Sequence, residues 1–405
     1  MSNTIVQNLK KRNKEFNNNV YVFAFIWFLA KNLITYSELT NVVVSSALLN
    51  FFNVVFLIVM LYKIIALQKY SVKQVFFFLM LGFITLYTDR VSDMFVFLSD
   101  FFLVLATQDV DFKVLIRKVY KIEVVYIAIH LVAYAFMWVF DRGRIVFSVR
   151  LEDGVRHYRH RLFLSHANIA SMFVLWTILA YFYSEYDKLN KKKIVFAWGI
   201  YYLIYLLTDT NSGLIILSII CALLLLKDLF KEGIDGVVTF LAKYLYIIMA
   251  IFFNFLMVIY TSLTGELKEI WNTLNDFFTG RLLYGVYAYD HYGFTLFGRS
   301  MTFHKDFWRG MWIDPCPCDN TYLWMSVGYG VFYTFLIGFL FWKCARYATF
   351  EEKLLIIAYT LYSAMELYVT YFYFNFTIVV LMGYIWNKRA DKPKMKRGFG
   401  CEIST

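Results

Sequence analysis

The chain has 405 residues, 60% of them hydrophobic, 21% aromatic and only 17% charged, with a mean hydropathy of +0.56. Water-soluble domains run near 25% charged, so this composition excludes a soluble globular fold and predicts an all-α, polytopic membrane protein. The net charge of +11 then belongs to membrane topology rather than to a nucleic-acid partner, and three prolines and 19 glycines leave no room for disordered linkers.

The polar, basic segment 1–19 reads as a cytoplasmic leader into a retained helix, since no small-residue cleavage site follows it. A helix needs about 20 mostly apolar residues to cross a hydrocarbon core of roughly 30 Å. On that rule twelve spans are expected, near 20–38, 42–62, 74–88, 91–107, 122–140, 164–183, 194–208, 212–226, 240–261, 320–342, 354–370 and 371–386. Together they make one transmembrane bundle over 20–386, followed by a basic cytoplasmic tail over 387–405. Lys31, Asp100, His130 and Glu366 fall inside spans, where ionisable groups are costly and are either paired or functional. Interior ion pairing is the simpler account of them, and a proton or substrate route is the alternative.

Cations flanking a span resist translocation, which places both termini inside. The inner segments then carry 21 Lys and 5 Arg, whereas the outer ones carry 10 Arg and 2 Lys. Arginine presents a planar fork of donors that matches phosphate oxygens two at a time, so this asymmetry points to an anionic group gripped at the outer face.

Two outer segments stand apart. The first, 141–163, holds Arg142, Arg144, Arg150, Arg156, Arg159 and Arg161 against three acids, a net positive charge that works against its own translocation. The second, 262–319, is long enough for a small folded cap, with seven acids, five cations and many aromatic residues. Rings beside carboxylates suit a sugar, whose C–H faces stack and whose hydroxyls donate, but they also serve as ordinary interfacial anchors. Asp109 and Asp111 have the spacing of a metal and nucleotide-sugar motif, yet no alternating strand and helix pattern surrounds them, and no metal or cofactor is expected. Cys316 and Cys318 flank Pro317 in a ring too strained for an easy disulfide, and the five cysteines frame neither a disulfide scaffold nor a zinc site. No phosphate-binding glycine loop or zinc-protease helix motif is present.

The stretches RLFLSHANIASM (161–172), TDTNSGLIILSI (208–219), GRLLY (280–284), FTLFGRSM (294–301) and DNTYLWMSVGYG (319–330) occur in an order that resembles the Wzy-type polysaccharide polymerases and the related O-antigen ligases. Where that family usually has an arginine before the glycine of a small turn, this chain has Thr210, Asn211, Ser212 and Gly213. The resemblance implies a GT-C-like bundle with a large extracytoplasmic loop between spans nine and ten. It also implies transfer of a growing oligosaccharide from a polyprenyl diphosphate carrier onto the next lipid-linked repeat unit, in the cytoplasmic membrane of a bacterium. Polyprenyl-diphosphate-linked oligosaccharide and membrane lipid would be its ligands, and a flippase and a chain-length regulator its partners.

Such a reaction needs cations for the departing diphosphate and a base for the acceptor hydroxyl. Arg156, Arg159, Arg161, Arg281 and Arg299 are the candidate diphosphate ligands, and Arg161 with His166, or Asp290 with His291, the candidate catalytic groups. Asp319 and Asn320 mark where the chain re-enters the membrane, Asn320 as a helix cap. A flippase or secondary transporter for lipid-linked oligosaccharide is the main rival reading, and it would call for repeat symmetry between halves and for Gly/Pro-broken helices; a ligase-type transferase that passes finished chains to another lipid is the second.

Overall fold

The computed structural model describes residues 2–39, 45–92, 96–152, 155–302, 304–309, 311–313 and 319–386. Cys316, Cys318 and the basic tail lie outside these residues. Helices account for 79% of the described residues. In order, with two hairpins interposed, they are α1 (Ser2–Tyr36), α2 (Ser46–Tyr62), α3 (Val72–Ser92), α4 (Val96–Leu105), α5 (Phe112–Phe140), β1 (Phe147–Glu152), β2 (Val155–His160), α6 (Ala167–Ser184), α7 (Lys191–Thr208), α8 (Asn211–Leu229) and α9 (Lys231–Ile259). There follow α10 (Gly265–Phe277), α11 (Arg281–Tyr292), β3 (Asp306–Trp308), β4 (Met311–Ile313), α12 (Thr321–Trp324), α13 (Val331–Cys344), α14 (Phe350–Ser363) and α15 (Thr377–Trp386).

Seven helical stretches among the described residues are long and apolar enough to cross a membrane, namely Lys11–Tyr36, Ser46–Leu67, Val72–Ser92, Phe112–Phe140, Ala167–Ser184, Gly233–Ser262 and Thr321–Cys344. The remaining expected spans coincide with helices that are shorter or more charged. The fold is therefore that of a mostly helical, membrane-embedded protein, with two short antiparallel hairpins, β1–β2 and β3–β4, added to the all-α plan.

Local chemistry explains the helix boundaries. Asp111 accepts from the Val114 N–H at the start of α5, and Asn190 from Lys193 N–H at the start of α7. Thus Asp111, half of the apparent metal motif, is a helix cap, while Asp109 accepts from Asn17 Nδ2 at 3.0 Å. The core is centred on α6, which is buried almost all round: Trp176, Phe173 and Leu175 are inaccessible or nearly so. Its neighbours on every side are other helices of the bundle, whereas an equally apolar helix such as α5 leaves much of its surface exposed.

The expected span 354–370 ends early, at Ser363. Residues 364–376 leave the helix because neighbouring side chains capture their polar groups. Asn320 Nδ2 donates to Ala364 O at 2.9 Å, Thr321 Oγ1 to Glu366 O at 2.7 Å, and the Phe372 N–H to Asp100 Oδ1 at 3.4 Å. Buried backbone groups freed from a helix need such partners. His130 is likewise satisfied, its Nδ1 facing Tyr126 O at 2.8 Å and its Nε2 facing Ser37 Oγ at 2.9 Å.

Candidate functional site

The starts of α6, α8 and α11 and the break after α14 lie together. There they enclose a cavity of about 170 Å³ lined by Asn168, Thr210, Ser212, Thr279, Arg281 and Glu366 among others. Asn168 is the second residue of α6, Asn211 the first of α8 and Arg281 the first of α11. Three helix amino termini converge on one small cavity, and a helix start carries the positive end of the helix dipole. Such an arrangement favours an anion.

Glu366 is the centre of the charged network. It is 1% exposed, and its Oε1 accepts from Asn168 Nδ2 at 3.0 Å and faces Arg281 Nη2 at 3.4 Å. Its Oε2 is buried and has no hydrogen-bond partner among the described residues. Asp319 lies close enough for the Arg281 guanidinium to act on it: burial raises its carboxyl above the usual range, and Arg281 pulls it back down.

Arg159 supports this cluster from behind. Its Nε donates to Thr208 O at 2.8 Å, and its Nη2 donates to Asn168 Oδ1 and Thr210 Oγ1, both at 2.6 Å. At 4% exposed the guanidinium is a buried strut that holds the α7–α8 turn and Asn168 in register. The turn itself requires glycine at 213. A Cβ there would collide with the Tyr201 hydroxyl, which bonds to Ser171 Oγ at 2.5 Å.

The expected site residues therefore separate. Arg281 lines the cavity, and Arg159, itself outside the lining, holds two residues that line it, Asn168 and Thr210. Asn320 caps α12, its Oδ1 accepting from the Tyr322 and Leu323 N–H groups at 3.0 and 3.2 Å. Arg161 is instead held by Glu38 at 2.9 Å and by Ser148 Oγ at 3.2 Å, where the chain after β2 is strapped to the end of α1. His166 caps α6, its Nδ1 accepting from the Asn168 N–H at 3.1 Å. It is not among the residues lining the cavity. Arg156 is exposed on β2, with strand alternation turning it to the face opposite Arg159.

Asp290 and His291 sit at the far end of α11, nine and ten residues beyond Arg281, or roughly 14 Å along the helix. Asp290 pairs with Arg309 at 2.8 Å, and His291 Nε2 lies 3.6 Å from Asp306. These groups belong to the cap, whose own core is the cluster of Tyr260, Trp271, Tyr287 and Trp308. Arg299 lines a separate open cavity with Tyr87, Tyr292 and Phe294, and its N–H donates to Gly328 O at 2.9 Å.

Sequence reasoning marked Glu366 as a buried charge but not as a site residue, and it passed over Asn168, Thr210 and Ser212. The signal for Asn168 was present in the SHAN stretch. For Glu366 the signal was its position near the outer end of an apolar run. The chain matches no family model, no curated protein and no solved structure.

Proposed function

We propose that the protein polymerises lipid-diphosphate-linked oligosaccharide repeat units at the outer face of the cytoplasmic membrane, as an extracytoplasmic glycosyltransferase, with the cavity at Glu366 and Arg281 as its catalytic centre. The observation that carries this reading is the buried, unpartnered Glu366 Oε2 beside a guanidinium in a cavity faced by three helix amino termini. A diphosphate meets the cation and the helix dipoles, and the carboxylate stands ready for a proton. Bearing on the same reading are the excess of outer arginine over lysine and the order of the resembling motifs.

In the reaction, the acceptor hydroxyl of one lipid-linked unit forms a bond to the anomeric carbon of the other, as the bond from that carbon to the diphosphate oxygen breaks. Glu366 Oε2 takes the hydroxyl proton, and the bonding electron pair leaves on the diphosphate. Arg281 and the N–H groups at the start of α8 stabilise the charge that develops there. Arg159 acts as a positioning residue, holding Asn168 so that Asn168 fixes Glu366.

The test is incubation of the purified protein with a lipid-diphosphate oligosaccharide, without nucleotide. A ladder of product lengths is expected from the parent chain, and none from Arg281→Ala. Arg281→Lys recovers little, because a point charge replaces the planar fork. Movement of intact substrate across vesicles with no ladder would establish the transporter reading instead.

A further inference from the structure

A third cavity, larger than the one at Glu366, opens at the opposite end of the bundle. Its volume is about 540 Å³, and it runs between α3, α4, α13 and α15 with a wall that includes Phe78, Leu81, Phe101, Val104, Leu340 and Ile385. Two cations, Lys73 and Lys343, line it at one end. Lys343 stands 22 residues beyond Thr321 on a near-continuous helical run, roughly 33 Å from the Arg281 end. The start of α3 opens on the same mouth, with Ser71 and Gln74 capping each other through Gln74 N–H to Ser71 Oγ at 3.3 Å and Ser71 N–H to Gln74 Oε1 at 2.9 Å.

The groove is open to the hydrocarbon side, for Phe77 on α3 and Phe339 on α13, which line it, are 45% and 54% exposed. Asp100, the carboxylate among its lining residues, is engaged by the main chain of Phe372 at 3.4 Å and lies well below the lysine mouth. Neither Lys73 nor Lys343 forms an ion pair among the described residues. An apolar trench that ends in two cations and a helix amino terminus is complementary to a molecule with long alkyl chains and an anionic head.

We propose that this groove holds a diacyl phospholipid with an anionic head group, its phosphate between Lys73 and Lys343 and its chains along α3 and α13. The lipid is distinct from the carrier lipid of the reaction, whose diphosphate belongs at the other end of the bundle. The assignment does not rest on the proposed activity.

Native mass spectrometry of the purified, delipidated full chain tests it, with phosphatidylglycerol, phosphatidylcholine of the same chains and a polyprenyl monophosphate as probes. Retention of phosphatidylglycerol over phosphatidylcholine by about tenfold is expected from two lysines near a phosphate. The Lys73→Ala, Lys343→Ala double variant should erase that preference, and Lys73→Arg, Lys343→Arg should keep it. Equal retention of the two phospholipids, a preference that survives the alanine pair, or displacement of phosphatidylglycerol by the polyprenyl phosphate would each overturn the proposal.

Discussion

Burial and partners assign different work to residues of the same type. Arg281 and Arg161 both belong to the arginine-rich segments that the charge distribution predicts to be outer, yet one faces a cavity beside a buried carboxylate and the other is held in a half-exposed ion pair with Glu38. An exposed or half-exposed pair contributes at most about 1 kcal/mol. Arg161→Ala should therefore keep most of the polymer and lower stability slightly, and Glu38→Ala should do the same, as read by thermal unfolding beside the polymer assay. Loss of polymer in Arg161→Ala at normal protein level would return that arginine to the catalytic centre. Glu366→Gln keeps the shape and the bond from Asn168 but removes the proton acceptor. Its rate should fall by about 10²-fold or more with the protein still folded, the range typical of a lost general base. An unchanged rate would show that the carboxylate only anchors Arg281.

At the scale of elements, the site depends on places where a helix begins or stops. Asn320 both caps α12 and holds Ala364 O, so one side chain starts one helix and ends its neighbour. Asn320→Ala leaves three buried backbone groups without that partner. A loss of about 2 kcal/mol or more in stability is expected, since each unsatisfied buried group costs about 1–3 kcal/mol. Because the freed stretch carries Glu366, activity should fall at temperatures where the variant is still folded. Full activity with lowered stability would separate the break from the chemistry. The β1–β2 hairpin has a comparable role. It delivers Arg159 beneath the α7–α8 turn, and its alternation sends Arg156 to the opposite face.

The whole molecule is polarised. Its lysine-rich end carries ion pairs such as Lys113 with Glu351 at 3.3 Å and Lys353 with Asp235 at 3.0 Å, and the arginine-rich end carries the cavity and the aromatic cap. The lysine excess predicts that its end faces the cytoplasm, and that prediction has a direct check. A cysteine in place of the exposed Arg156, in a chain with its native cysteines replaced, should react with an impermeant maleimide added to intact cells. Labelling only after the membrane is opened would put the hairpin inside and leave the proposed reaction without its lipid-linked substrates.

The sequence by itself determined the class and the periodic elements. An apolar run of about 20 residues has few alternatives to a helix in a membrane-embedded protein, because every backbone group must be satisfied within the segment. It also marked Arg159, Arg281 and Asn320, since paired donors and caps are local chemistry. Only the tertiary structure decided that Arg161 and His166 are a strap and a cap, that Asp290 and His291 pair with Arg309 and Asp306 away from the cavity, and that α14 ends before Glu366. Each of these depends on a partner far away in the chain: Glu38 for Arg161, Arg309 for Asp290, Asn168 and Thr321 for the segment at Glu366. Apolar periodicity reports what a residue must avoid, namely water. Which polar group waits beside it is set by the packing of helices that sequence spacing does not encode.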